Sequence, residues 1–239
     1  MKKLLLAEVI KQIPLSFLYF VLGCALGYVS SVILFYLNKN FLEYLIQIWL
    51  KRITFGLGYF GENYGIWFIL NNFIAVLMII ASIMLMMTLI FRRRKFYFSR
   101  KFEGFERHHT KVGLYSLYII PIGALLINGF LLSLLLTFLL LNNGFSVFLL
   151  NLLLVLPHGI TELTALILST SLALVYLKIL RPSIIRGEWE TSKKIGKNLL
   201  LSHTTFLIIF FLAILILFSG FIEGSFVSLI KQNLLKQAM

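Results

Sequence analysis

The chain has 239 residues and a net charge of +13; 60% of its residues are hydrophobic and only 13% are charged. Soluble domains run nearer half apolar and roughly a quarter charged, so one soluble core of this size cannot hide that much apolar surface, and lipid must cover the rest. In a membrane setting the positive excess marks loops lying against anionic headgroups rather than nucleic-acid binding, and a single cysteine, Cys24, excludes an internal disulfide and a thiolate metal cluster.

The opening MKKLLL imitates a secretory signal, and VLGC at Val21–Cys24 resembles a lipoprotein box. Glu8 and Lys11 interrupt the early apolar run, and the hydrophobic stretch continues past Cys24 to Leu37, beyond the roughly 7–15 residues of a signal core. The reading is a retained first span, 13–37. A spanning helix needs about 20 mostly apolar residues, and further spans are expected at 66–91, 113–141, 145–180 and 199–230. Between the first two, residues 38–65 mix aromatics with isolated charges. They read as an interfacial segment ending at Gly56 and Gly58, either an outer lid or an aromatic belt anchoring its neighbours. The fourth run is too long for one upright helix, and Pro157 and Gly159 near its first third predict a kink, a break near 157–159 or a re-entrant half-span. The expected fold is all-α: a polytopic membrane helix bundle of five transmembrane spans, or six if the fourth run divides, forming a single membrane domain over 1–239.

The 22 Lys and Arg residues are unevenly shared among the loops. Five alternating spans put three, eight and six of them on one side, seventeen in all, and three, none and two on the other. The positive-inside rule then places the amino terminus in the cytoplasm and the carboxyl terminus outside the cell membrane.

Polar groups inside the spans are few: Asn71 and Asn72 in the second, Asn128 in the third, Asn151, His158, Thr161, Glu162 and Thr164 in the fourth, and His203 near the inner end and Glu223 near the outer end of the fifth. A carboxylate at mid-membrane costs roughly 2.5–3.5 kcal/mol on the mildest insertion scale, whereas an interhelical hydrogen bond returns about 0.6–2 kcal/mol. Stability alone is therefore a poor reason to keep Glu162, which should face the bundle. His158 and Glu162 stand one turn apart and share a face if the helix continues through Gly159. Together with Asn128, Asn71, Asn72 and Glu223 they form the candidate intramembrane site. They could bind a cation, relay protons, activate water, or pin a broken helix as a structural pair. HGITE is not the HExxH zinc helix: the order differs and the second histidine is missing. No catalytic residue and no cofactor are assigned, and metal binding is left open. Small residues supply packing: Gly23 and Gly27, continued by Ser30, in the first span, and Gly220 and Gly224 in the fifth, read as close helix crossings. Pro121 and Asn128 share a face of the third.

LPHGITELTALI (Leu156–Ile167) resembles the signature of the stage II sporulation protein M family, in which a proline-histidine-glycine precedes a glutamate. LNNFIAV (Leu70–Val76), PIGALLINGFLLS (Pro121–Ser133) and SGFIEG (Ser219–Gly224) resemble further motifs of that family, in the same order. Ser169–Ser171 and Ala173 stand where a glycine-rich helix is usual. The resemblance implies a membrane member of a complex that, in spore formers, remodels peptidoglycan during engulfment, with hydrolytic domains carried by partners. The function expected is a non-enzymatic scaffold or complex subunit. The alternative is a channel or transporter for a cation or small polar solute built on His158 and Glu162. The expected partners are membrane lipids and other membrane or envelope proteins, without nucleic acid, and the GxxxG pairs allow a homo-oligomer.

Overall fold

The computed structural model describes residues 2–48, 69–70, 73–74, 76–77, 79–80, 103–186 and 188–237. The side chains of 2–4, 103–114, 116, 154–155, 157–158, 189, 223–224 and 226–237 lie outside that description. All regular structure among the described residues is helical. The elements are α1 (Lys2–Leu37), α2 (residues 39–48), α3 (Glu103–Asn143), α4 (Phe145–Ile185), α5 (Trp189–Leu200) and α6 (His203–Gln237). Among the described residues, four stretches are long and apolar enough to cross a membrane: Leu5–Leu37, Leu117–Asn143, Gly159–Ile185 and His203–Ile222. The expected second span, 66–91, falls mostly outside the described residues.

Several expected boundaries move. Helix α3 starts at Glu103, ten residues before the apolar run, and α3 and α4 are each 41 residues long. At 1.5 Å per residue that is about 62 Å, twice the hydrocarbon thickness, so both helices continue into the interface. Extending an existing helix adds one hydrogen bond per residue without a new nucleus, which is why the basic flank stays helical. The fourth run does not break at 157–159. Helix α4 passes through Pro157 and Gly159 without interruption, because in lipid a freed carbonyl is tolerated more readily than an unwound backbone. The last helix starts at His203 rather than at Leu199. Leu199 and Leu200 close α5, and a turn at Leu201–Ser202 separates the two. Ser202 then caps α6, its Oγ accepting from the Thr205 amide at 3.1 Å.

The residues sort into two compact units. One holds Leu18–Ile74, Leu126–Ala165 and Ala213–Met239. Here α1 crosses α3 at very close range. A Cβ on Gly23 would strike the Leu126 carbonyl, with the Leu126 Cα at 2.9 Å; one on Gly27 would strike the Phe130 carbonyl, with the Phe130 Cα at 3.0 Å. One turn further on, the buried Ser31 hydroxyl donates to the Leu134 carbonyl at 3.2 Å. The small-residue stripe is thus Gly23, Gly27 and Ser31, not Ser30, since a strict four-residue step keeps the contact in the i, i+4 row. From the other side, a Cβ on Gly129 would meet the Phe20 carbonyl and lie 3.0 Å from the Cys24 amide nitrogen. Both helices advance together through this series, so α1 and α3 run parallel.

In the same unit Asn38 ends α1 and caps α2, its Oδ1 accepting from the Phe41 amide at 3.1 Å. The α2 face formed by Leu42 and Ile46 packs on Leu134, with Leu34, Phe35, Phe130 and Phe138 around it. The first part of the expected interfacial segment is therefore a helix with one face buried in the bundle. Its remainder, from residue 49, lies outside the described residues. Helices α3 and α4 are joined by Gly144 alone, at φ +83°, a left-handed conformation open to glycine and strained for any residue with a Cβ.

The other unit holds Met1–Phe17, Ala75–Leu125 and Leu166–Leu212. Here α1 and α4 run antiparallel: Ser16 Oγ lies 2.9 Å from Ser171 Oγ, and Glu8 pairs with Lys178 at 2.8 Å. Helices α3 and α4 are antiparallel too, joined by Arg181 to Tyr115 at 2.7 Å and Thr170 to the Pro121 carbonyl at 3.2 Å.

The glycine crossing is testable by adding single methyl groups. Gly23→Ala and Gly129→Ala are expected to lower stability in mild detergent by about 1–3 kcal/mol each, the usual range for overpacking. Gly123→Ala, where a Cβ meets nothing within 4 Å, should leave it unchanged or slightly raised. Reversible unfolding of the three variants measures this; equal effects at all three would remove the crossing.

Candidate functional site

Helix α4 carries five of the polar residues expected inside the spans, Asn151, His158, Thr161, Glu162 and Thr164. Its first half is sparsely covered: Asn151, Thr161, Glu162 and Thr164 are half-buried, while Leu150, Leu153 and Ile160 are exposed. The second half is the best buried segment among the described residues, with every side chain from Ser169 to Leu177 inside.

The continuity of α4 through Gly159 meets the condition for positions 158 and 162 to share a face. The Glu162 side chain is half-buried and has no hydrogen bond or ion pair among the described residues. Asn128 on α3 is half-buried and lies in the same unit as Glu162. The side chains of His158 and Glu223, and all of Asn71 and Asn72, lie outside the described residues, as does the Gly224 position beyond its helical backbone. Gly220 is buried within α6. Of the expected constellation, two members are therefore placed, Asn128 and Glu162, one on each of two helices.

Other polar groups of the first half are satisfied locally. Asn151 Nδ2 donates to the Val147 carbonyl at 2.8 Å, and Thr164 Oγ1 donates to the Ile160 carbonyl at 2.7 Å. Both return to the carbonyl one turn back on their own helix, which removes the donor from lipid without a neighbour.

The hydroxyls of the second half tie helices together, and they were not singled out from the sequence as a site. Ser171 Oγ is shared between Ser16 Oγ at 2.9 Å and the Ile167 carbonyl at 2.7 Å, and Ser169 donates to the Leu166 carbonyl at 3.0 Å. Further along, Tyr176 and Thr205 meet at 2.7 Å between their oxygens. Thr205 Oγ1 also donates to the Leu199 carbonyl at 2.8 Å. Its single proton is thereby used, so Tyr176 must be the donor of their shared bond. Ser202 Oγ sits 2.9 Å from the same oxygen. One node thus fixes the end of α5, the start of α6 and the second half of α4 at Tyr176. Beyond it, Ser192 on α5 donates to Ser183 on α4 at 2.7 Å, with both side chains buried. The available signal was the run Ser169-Thr170-Ser171. Three consecutive hydroxyls must face three directions around a helix, and all are tolerable only where neighbours surround it.

Residues 110–228 match the model of the family described as Stage II sporulation protein M. That range contains nearly all of α3, the whole of α4 and α5, and most of α6. No curated protein and no solved structure matches the chain.

The Tyr176–Thr205 node is separable by a double-mutant cycle. Tyr176→Phe and Thr205→Val should each destabilise the protein, and their coupling energy should fall at about 0.6–1.7 kcal/mol, the range for hydrogen bonds between membrane helices. Additive effects in detergent unfolding would show that the two hydroxyls do not act on each other.

Proposed function

We propose that this chain, which belongs to the stage II sporulation protein M family, is a non-enzymatic scaffold subunit of a cell-membrane complex, with five spans and a cytoplasmic amino terminus. The observation that carries this reading is the second half of α4. Its hydroxyls are committed to neighbouring helices or to its own backbone, and its side chains from Ser169 to Leu177 are buried. A helix so occupied acts as a rigid post around which the others are held, which suits presentation of surfaces to partners better than passage of a solute along it. Reactions on the cell wall, peptidoglycan remodelling in spore-forming relatives, would then be carried out by domains on those partners.

The parallel course of α1 and α3 supports the five-span count. Two parallel neighbours require an odd number of crossings between them, and 66–91 is the apolar stretch of the intervening sequence long enough to make one. Orientation is supported by charge. The amino-terminal segment, the start of α3 and the end of α4 meet at one end through the Glu8–Lys178 and Arg181–Tyr115 contacts, and the basic segments flank these points.

A second reading, transport of a cation or small polar solute, is favoured by one observation. Glu162 is half-buried at membrane depth without a bonding partner among the described residues. An inward acidic side chain at that depth is the feature that intramembrane ion and proton sites share.

Two measurements divide these readings. Affinity purification of the full chain from native membranes in mild detergent should yield a stoichiometric protein partner, retained in Glu162→Gln. Liposomes reconstituted with the purified chain should show no cation or proton flux above empty vesicles. Flux that falls about tenfold or more in Glu162→Gln, with no partner recovered, would replace the scaffold by a transporter.

A further inference from the structure

The end of α4 holds a groove that neither the scaffold reading nor the Glu162 face uses. Tyr118, Lys178, Arg181, Pro182, Ile185 and Arg186 line it, and its volume is about 400 Å³. Three cations in one concavity repel one another, and such a cluster persists where something neutralises it. Two of the three are neutralised within the protein. Lys178 pairs with Glu8 at 2.8 Å, and Arg186 pairs with Glu188 at 2.8 Å. Arg181 has no carboxylate partner among the described residues.

Arg181 is nevertheless held in place. One guanidinium nitrogen donates to the Tyr115 hydroxyl at 2.7 Å, and the group stacks over the Tyr115 ring at 5.1 Å from its centre. A guanidinium gripped at one nitrogen and one face keeps further N–H groups for a second acceptor, in the planar fork that matches two oxygens of one phosphate. Lys178 and Arg186 stand about one turn away on either side along α4, held to their own carboxylates and not competing for the ligand. Pro182 and Ile185 form an apolar wall beside them.

The position along the helix selects the source of that phosphate. Apolar sequence on α4 ends at Leu180, and Arg181 follows at once. Tyr115 and Tyr118 on α3 are the kind of amphipathic ring that settles at headgroup level. Helix α5, fixed to the end of α4 by the Ser192–Ser183 bond, buries Ser192, Gly196 and Leu199 and exposes Lys193, Lys194 and Lys197. That pattern is one of a helix lying in the interface with lysines toward anionic headgroups. The groove is therefore bounded by apolar span on one side and by a basic interfacial helix on the other.

We propose that Arg181, steered by Tyr115 and flanked by Lys178 and Arg186, is a binding site for the phosphate of an anionic phospholipid headgroup. The glycerol backbone lies against Pro182 and Ile185. This site is independent of the Glu162 face and holds whether the chain is a scaffold or a transporter.

The test uses the full chain in nanodiscs of phosphatidylcholine containing a minor fraction of phosphatidylglycerol, with bound lipid counted by native mass spectrometry after release into mild detergent. Phosphatidylglycerol should be retained in preference to phosphatidylcholine. Arg181→Gln should weaken that retention about tenfold, as for loss of a charge-assisted hydrogen-bonding pair, and Arg181→Lys should restore part of it. Lys194→Gln removes the same charge from the neighbouring interfacial helix and should change retention less than twofold. Equal losses in Arg181→Gln and Lys194→Gln would overturn the site in favour of a diffuse basic surface. Inorganic phosphate at millimolar concentration should not displace the lipid; displacement would overturn the lipid assignment in favour of a soluble phosphate ligand. Should Arg181→Gln fail to fold, Tyr115→Phe keeps the charge and removes the hydroxyl that aims it. It should lower retention several-fold, and unchanged retention there would equally overturn the proposal.

Discussion

Hydrocarbon gives a backbone carbonyl or a hydroxyl nothing to bond to, so every polar group carried into the membrane has to be answered from within the protein. That constraint orders the helices around α4. Its buried Ser171, Thr170 and Tyr176 are answered by α1 at Ser16, by α3 at the Pro121 carbonyl and by α6 at Thr205. Each bond returns little on its own, yet the alternative is an unmet donor in lipid, and so each fixes which face of α4 a neighbour may take. The α1–α3 crossing answers the complementary problem. Lipid tails are as apolar as leucine, so helices gain by packing only where backbones approach closely, and Gly23, Gly27 and Gly129 permit that approach.

Much of this was legible in the sequence because it depends on composition or on fixed spacing. Membrane class, all-helical fold and the first, third and fourth apolar runs follow from length and hydropathy. Gly23 and Gly27 were recognisable because a four-residue step has one geometric meaning on a helix. Ser31, not the neighbouring Ser30, continues the stripe because composition alone admits any small residue nearby, whereas ridge packing admits only the next member of the i, i+4 row. The break expected at 157–159 rested on proline and glycine behaviour in water. In lipid an unwound segment would expose several carbonyls and amides, a larger penalty than the single bond a proline removes, so α4 stays continuous. The separate helix α5 was hidden because its last residues, Leu199 and Leu200, look like the start of a span. What ends it is a serine cap two residues later, a local hydrogen bond that hydropathy does not see.

The candidate site was legible only as a set of residue types. That Glu162 stands on one face with position 158 follows once α4 is known to be unbroken. The hydroxyl seam was passed over because serine and threonine are unremarkable singly, and their importance arises from which neighbour each one meets. Nor did the sequence distinguish Arg181 from the other basic residues that follow the fourth span. What sets it apart is that Lys178 and Arg186 have carboxylate partners while Arg181 has a tyrosine.

The contrast along α4 between its hydroxyls and Glu162 has a chemical origin. Serine, threonine and asparagine each possess a donor hydrogen, and the carbonyl one turn back on the same helix can accept it in addition to its backbone bond. Such residues can satisfy their donor anywhere on a helix, even facing lipid. An ionised carboxylate has only lone pairs to offer. The amides that could meet them are already committed within the helix, so the backbone of its own turn cannot answer it. When ionised, Glu162 must therefore be completed by a side-chain donor or a cation: from position 158 one turn back, from another helix of this chain, from a second protein, or from a bound ion. The scaffold and transport readings differ in which of these completes it. Both need the carboxyl for the reason that makes it costly, namely that the backbone that carries it cannot satisfy it.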